Sequence, residues 1–368
     1  MLELPPLSLY IHYPWCVKKC PYCDFNSHEG ENRGGYIDAL LKDLDEDLSY
    51  VQGRNIHSIF IGGGTPSLMS AEELSELFTG LKSRLSFDQN IEITLETNPG
   101  TFEIEKFKAF KDIGINRLSI GVQSFQDHHL KALGRIHSAQ EADKACTEAA
   151  KIFDNFNIDL MYGLEGQSID ECLADLNQAI SLNPQHISFY QLTIEPNTLF
   201  AKFPPALPED DDIWVMGEQG VALLEQHGFA RYEVSAFGKI PSKHNLNYWQ
   251  FGDYIGIGAG AHGKATDVNA GKLLRTRKPK SPKDYINNPI TVVESIENLS
   301  FEFMLNALRL KQGFDLDLFE RRTGQSIKTL ESRLHQAQDL GLLSVNGKQV
   351  KPSKKGYNFL NDLIEKFL

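Results

Sequence analysis

The sequence predicts an α/β fold: a partial barrel of parallel strands, followed by a smaller C-terminal α+β unit of winged-helix type. Two observations carry this reading. Six short β-rich runs alternate with amphipathic helical patterns through the first two-thirds of the 368 residues, which is the signature of parallel βα units. The residues able to do chemistry fall just past those runs, where βα folds gather ligands. A doubly wound sheet shows the same alternation, but residues from every strand end converging on one mouth favour the barrel.

The runs are LSLYIHY (7–13), IHSIFIGGG (56–64), IEITLETNP (91–99), NRLSIGVQS (116–124), FNIDLMYG (156–163) and HISFYQLTIEP (186–196). Between the first two, Ile37, Leu40, Leu41, Leu44, Leu48 and Val51 recur at helical spacing and make one apolar face. SAEELSELFTGLKSRL, starting near Ser70 or Ala71, and SIDECLADLNQAISL are further helices. Pro204, Pro205 and Pro208, then Glu209 to Asp212, mark a loop leading into another helix. A Gly-rich segment, YIGIGAGAHG (254–263), follows. From about residue 299 the pattern is helix, helix, then a hairpin signalled by Asn346-Gly347 between apolar runs. The expected organisation is a barrel over 1–235, a connecting region over 236–298 and the C-terminal unit over 299–368.

A formal net charge of −12 disfavours general binding of polyanions, since nucleic-acid affinity rests on Lys and Arg neutralising phosphates. Arg275, Arg277, Lys278 and Lys280 form one local basic patch, expected to be a solvated loop. No basic segment followed by an apolar stretch opens the chain, and no apolar run is long enough to span a bilayer. With an odd number of cysteines, five, a reducing cytoplasm is expected. Cys146 and Cys172 read as small buried hydrophobes.

The other three cysteines, Cys16, Cys20 and Cys23, are crowded into YIHYPWCVKKCPYCDF (10–25). A structural zinc site takes four protein ligands, commonly as two separated pairs; here there is no second CxxC, though His12 or His28 could complete one. A cubane iron–sulfur cluster takes one ligand per iron, so three thiolates leave one iron open to a small molecule. FIGGGTPS (60–67) follows a strand, and Gly62, Gly63 and Gly64 let backbone approach a ligand, with amides expected to be free for a polar or anionic group. The segment lacks the lysine of a phosphate loop. Glu96, Gln123, Arg135 and Asp159 sit at or just past strand ends, where buried polar side chains need a polar partner.

This constellation resembles the radical S-adenosylmethionine (SAM) proteins, and within them the oxygen-independent coproporphyrinogen III oxidase branch. CxxxCxxC with Tyr22 before its last cysteine, the GGGTP turn, GVQSF and IDLMYGL all match as they stand, nearly end to end. The resemblance implies a partial (β/α)6 radical-SAM barrel with a [4Fe–4S] cluster on Cys16, Cys20 and Cys23. It implies a SAM pocket lined by Tyr10, Tyr22, Gly63, Gly64, Thr65, Glu96, Gln123, Arg135 and Asp159.

Three features separate the two halves of that branch. The oxidase continues its motif as CxxxCxxCxC, whereas this chain reads Cys23-Asp24-Phe25. The oxidase carries a long segment ahead of its cluster, and Cys16 lies near the start here. HNLNYW (244–249) matches the HNxxYW heme motif of the HemW family of heme chaperones, as does GIGAGAHG. One departure is Glu165, where those proteins usually have proline. From the residues, His244 is a plausible axial ligand, while Tyr248 and Trp249 offer flat apolar area to a porphyrin; a capped turn with two core aromatics is the alternative. The implied function is a cytoplasmic chaperone of porphyrin metabolism. It would bind heme through His244, Asn245, Tyr248 and Trp249 and pass it to apo-hemoproteins, respiratory-chain proteins among them, with any membrane contact made through a partner. Coproporphyrinogen III oxidation is the alternative activity. Catalytic residues and the turnover of SAM are not assigned.

Overall fold

The computed structural model describes residues 2–31, 34–101 and 103–368. Six parallel strands lie side by side in sequence order: β1 (Leu7–Tyr13), β2 (Ile56–Gly63), β3 (Phe87–Thr97), β4 (Arg117–Gln123), β5 (Phe156–Tyr162) and β6 (His186–Gln191). Beyond β6 come β7 (Ala230–Arg231) and β8 (Ala236–Gly238), with β8 paired antiparallel between β6 and β7. On the other flank, β9 (Asp253–Ile257) runs parallel beside β1, and β10 (His262–Asp267), β11 (Lys272–Arg277) and β12 (Val292–Ser295) follow antiparallel. The twelve strands form one open sheet, a partial barrel.

Period-two alternation divides the sheet into two unlike faces. Leu9, Ile11, Ile59, Ile61, Leu95, Ile120 and Ile158 point outward into the main apolar core, where the helices cover them. The opposite face is polar and lines the barrel: Ser8 and His12 on β1, Glu92 and Thr94 on β3, Arg117 and Ser119 on β4, Asn157 on β5 and His186 on β6 are all buried. Buried polar residues in such number are tolerated only as a network. His186 contacts Asn157 Oδ1 at 2.6 Å and the Tyr232 hydroxyl at 2.8 Å, while Asn157 Nδ2 donates to Ser119 Oγ at 2.9 Å.

The helices start where their caps dictate. Ser70 and Ser168 each accept from the backbone N–H three residues on, with Glu73 and Glu171 closing capping boxes over Ala71–Lys82 and Ile169–Ser181. Cys146 and Cys172 are buried in the main core.

Residues 254–263 supply β9 and the turn into β10. The basic patch departs from expectation. Arg275 and Arg277 lie on β11, and Lys278 is buried between Asp43 and Asp47. Strand pairing with β10 orders this stretch, so it is not a solvated loop.

A second apolar cluster, including Phe303, Phe319, Leu334 and Val350, forms the core of the C-terminal unit. Its hairpin pairs Leu343–Asn346 with Gln349–Pro352. Asn346 is the last paired residue, so the two-residue turn is Gly347-Lys348, one position later than the Asn-Gly signal suggests; Gly347 takes φ 61°. No helix among the described residues is long and apolar enough to cross a membrane.

Candidate functional site

The loop after β1 carries the three cysteines to the C-terminal mouth of the barrel. Trp15–Cys16 pairs with His28–Glu29, Cys23 N–H donates to the Cys20 carbonyl at 3.1 Å, and Lys19 Nζ donates to the carbonyls of Phe25 and Ser27. Asn26 Nδ2 ties the loop to Ala259 and Lys280 through their carbonyls, each at 2.9 Å. Cys16, Cys20 and Cys23, all free, line one cavity of about 320 Å³. Burial, then the neighbouring Cys23 and Cys20, push the Cys16 thiol up to about 11; bound metal would supply the charge that removes its proton.

Among the described residues, the one His/Cys/Asp/Glu trio with ligand atoms all within 4.8 Å of one another is His128, His129 and Glu171, whose glutamate already caps its own helix. His12 is also occupied, with Nδ1 on the Tyr10 hydroxyl and Nε2 on the Asn26 carbonyl, both at 2.9 Å.

The glycine turn does something other than expected. Gly63 N–H donates to Glu96 Oε2 at 3.1 Å, Gly64 N–H to the Tyr13 carbonyl at 2.7 Å and Thr65 N–H to the Trp15 carbonyl at 2.7 Å. Those amides are engaged, not free. The glycines serve close approach: a Cβ on Gly64 would sit 2.4 Å from the Trp15 carbonyl oxygen, and Gly63 has φ 116°. The turn thereby clamps the cysteine loop onto β2.

Tyr22, Gly63, Gly64, Thr65, Glu96, Gln123, Arg135 and Asp159 line the same cavity as the cysteines. Burial, then the charge of Asp159, raises the Glu96 carboxyl to about 8. Asp159 is raised by burial too, against hydrogen bonds from Asn157 and Ser119. Two half-buried carboxyls facing one space suit a cationic ligand group. Arg135 places Nη1 3.6 Å from Cys20 Sγ and 3.3 Å from the Tyr22 hydroxyl; Nη2 donates to the Gly121 carbonyl and to Asn98, and Nε is buried without a partner among the described residues. Gln123 adopts φ 73° beside a register shift at the end of β4, and accepts from the Tyr190 hydroxyl at 2.9 Å. Such backbone collects at functional sites. Asn98, Ser119, Ser188 and Tyr190 line the cavity as well; period-two alternation on β4 and β6 is the sequence signal that would have found the last three.

Tyr10 lies in an adjoining cavity of about 300 Å³, which shares Phe25, Gly63 and Glu96 with the first and adds Tyr248, Tyr254 and His262. HNLNYW forms the helix Lys243–Trp249, whose residues divide among different surroundings. His244 is 1 % exposed. Its Nδ1 meets Ser58 Oγ at 3.1 Å and its Nε2 the Tyr248 hydroxyl at 2.9 Å. Both ring nitrogens of His244 are thus engaged by hydroxyl groups of the chain. Asn245 reaches the Tyr232 hydroxyl, Tyr248 lines the second cavity, and Trp249 faces a third beneath the Arg309 guanidinium.

Comparison with known proteins agrees with this architecture. Residues 10–179 match the Radical SAM superfamily and residues 295–359 the HemN C-terminal domain. Over its full length the chain is 48% identical to the heme chaperone HemW of Escherichia coli (strain K12), covering 100% of both chains. The chain belongs to the HemW family. The HemW of Haemophilus influenzae is 48% identical over 100% of this chain and 99% of its own, and that of Bacillus subtilis 34% over 98% and 99%. The structure of E. coli coproporphyrinogen III oxidase (HemN), described as a radical SAM enzyme, superposes with TM-score 0.83 over 99% of this chain and 90% of its own at 22% identity; that likeness speaks to fold. Membership of the radical SAM superfamily implies a [4Fe–4S] cluster and SAM, and the name of the HemW family implies heme and apo-hemoprotein partners.

Proposed function

We propose that this chain is a cytoplasmic heme chaperone that holds a [4Fe–4S] cluster and SAM at the mouth of its barrel, binds heme beside them and transfers it to apo-hemoproteins, respiratory-chain proteins among them. Full-length identity of 48% to chaperones of the HemW family is the observation that carries this reading. The cysteine loop supports it, because Phe25 stands where the oxidase motif CxxxCxxCxC has its fourth cysteine.

Cys16, Cys20 and Cys23 would hold the cluster and leave one iron for SAM. When bound, the cluster supplies one-electron reducing chemistry to SAM. The chain's own part is positional. Glu96 and Asp159 would face the cationic groups of SAM from a half-buried position, where attraction is stronger than in bulk water. Arg135 bridges the Cys20 edge to the floor of the cavity and orders Tyr22. Gly63, Gly64 and Thr65 fix the cysteine loop against β2, so the ligand shell is set before anything binds.

The test is anaerobic reconstitution with iron and sulfide, followed by heme titration and a coproporphyrinogen decarboxylation assay on the same sample. Saturable heme binding, release of that heme to an apo-hemoprotein and no decarboxylation are expected. Decarboxylation without specific heme binding would overturn the proposal in favour of the oxidase.

A further inference from the structure

His129 is fully buried, yet neither of its ring nitrogens makes a hydrogen bond among the described residues. Its Nε2 stands 3.7 Å from Glu171 Oε2, beyond hydrogen-bond reach. That oxygen is already held by the Ser168 N–H and hydroxyl, each at 2.8 Å. A buried imidazole with two idle nitrogens is costly and calls for a partner.

The side chains around it are of metal-ligand type. His128, its neighbour on the short helix Asp127–Ala132, places Nε2 3.2 Å from Glu171 Oε1, and the two imidazole centroids are 4.0 Å apart. One ligand atom from each of His128, His129 and Glu171 lies within 4.8 Å of the other two. Nitrogen and oxygen donors at ~2.1 Å from one tetrahedral ion stand ~3.4 Å from each other, so small side-chain rotations close this set. The backbone beneath it is fixed from both sides. Gln126 Nε2 donates to the Glu171 carbonyl at 3.0 Å, and Asp175, one turn further along Ile169–Ser181, accepts from the Ser124 hydroxyl at 2.7 Å and the Phe125 N–H at 2.8 Å. The exposed His128 ring gives an ion its way in. Two imidazoles and one carboxylate, with no thiolate, suit a borderline divalent ion such as zinc.

We propose that His128, His129 and Glu171 bind one divalent transition ion of the zinc class, separate from the cysteine site, with water in the fourth position. The ion joins the helix Asp127–Ala132 to the helix Ile169–Ser181. Gln123 and Arg135, which line the cysteine cavity, lie just before and just after that short helix in the chain, so the ion braces the segment that carries both.

The test uses the full chain carrying Cys16→Ser, Cys20→Ser and Cys23→Ser, so that no cluster thiolate competes for metal. Calorimetric titration with Zn2+ is expected to show one ion bound per chain with micromolar affinity or tighter, and Zn2+ is expected to raise Tm. Co2+ is expected to give a tetrahedral visible spectrum without a sulfur charge-transfer band. His128→Ala, at an exposed position, is expected to weaken Zn2+ binding by about tenfold or more, with the metal-free Tm within about 2 °C of its parent. His129→Leu replaces idle nitrogens with apolar atoms of similar volume, so it is expected to lose the ion and keep its metal-free Tm. Zn2+ binding that survives both substitutions, or a folded parent chain that takes up no Zn2+ at micromolar metal, overturns the site.

Discussion

His244 Nε2 lies 2.9 Å from the Tyr248 hydroxyl, one helical turn further along Lys243–Trp249. The pair terminates a buried chain: Asn247 Nδ2 donates to Ser8 Oγ, Ser8 Oγ meets Ser58 Oγ at 2.7 Å, and Ser58 Oγ meets His244 Nδ1. Glu92 Oε1 accepts from Ser242 Oγ and the His244 N–H. The motif helix is thus stapled to β1, β2 and β3 on the inner face of the barrel, at some distance in sequence from the cysteines but one wall away from them in space.

Removing that ring should act first on stability. His244→Ala leaves a cavity and strips partners from the Tyr248 and Ser58 hydroxyls, at a cost of ~2–4 kcal/mol. Urea unfolding of the cluster-free chain measures it. Heme affinity is expected to fall a few-fold through a displaced Tyr248, with the Soret maximum unchanged. A large spectral change with wild-type stability would put the iron back on His244.

The cluster ligands give the opposite pattern. Cys20 is only partly buried, so Cys20→Ser should cost under ~1 kcal/mol yet abolish the iron–sulfur absorbance after reconstitution. Circular dichroism and iron counting on one sample separate the two effects. A cluster that survives would remove Cys20 from the ligand set.

Much of this was legible in sequence because its determinants are local. Three thiols within eight residues, the capping serines Ser70 and Ser168, and the apolar spacing from Ile37 to Val51 are all patterns that a short window reveals. What escaped depends on long-range pairing. The opposition of His262 and Arg277 exists only because β10 and β11 pair, and Tyr10 joins Tyr248 only because β9 docks beside β1. The enclosure of His244 by Ser58 spans 186 residues, and a motif cannot show whether its histidine is free or engaged.

Glu96 makes the apo-protein sensitive to alkali. Its carboxyl holds a proton up to about pH 8 when folded and releases it near pH 4.5 when unfolded, so folding binds a proton between those values. The stability this contributes is full below about pH 4.5 and is lost as pH rises through 8, at up to ~1.4 kcal/mol per pH unit. Asp159, also raised by burial, has the same sign. Urea midpoints of the cluster-free protein should fall from about pH 6 to about pH 8, and Glu96→Gln should flatten the slope. SAM binding below pH 8 should release a proton, seen by calorimetry in buffers of different ionisation enthalpy.

Gly64 tests the clamp between the glycine turn and the cysteine loop. A methyl group there would meet the Trp15 carbonyl oxygen at 2.4 Å, where backbone must move. Gly64→Ala is expected to cost ~1–3 kcal/mol and to slow or prevent cluster assembly with all three cysteines in place. Full cluster occupancy in this variant would show that the loop is set by its own hydrogen bonds and not by β2.

Lys278 supplies the last test, and it concerns the frame at the end of β11. Its ammonium is buried, donates to Asp47 Oδ2 at 2.8 Å and contacts Asp43, two acids from the helix Tyr36–Asp47. Asp43 also accepts from the Tyr285 hydroxyl at 2.6 Å and the Gly258 N–H at 3.1 Å, so this single cation joins the end of β11 to β9 and the first helix. Burial nonetheless lifts the Asp43 carboxyl to about 6, with Lys278 pulling the other way. Lys278→Met leaves two buried carboxyls with no cation, and a loss of ~3–5 kcal/mol is expected, largest at neutral pH and smaller near pH 5, where Asp43 can take a proton. Urea unfolding at the two pH values measures the difference. A pH-independent loss would mean that the lysine matters through its packing and not its charge.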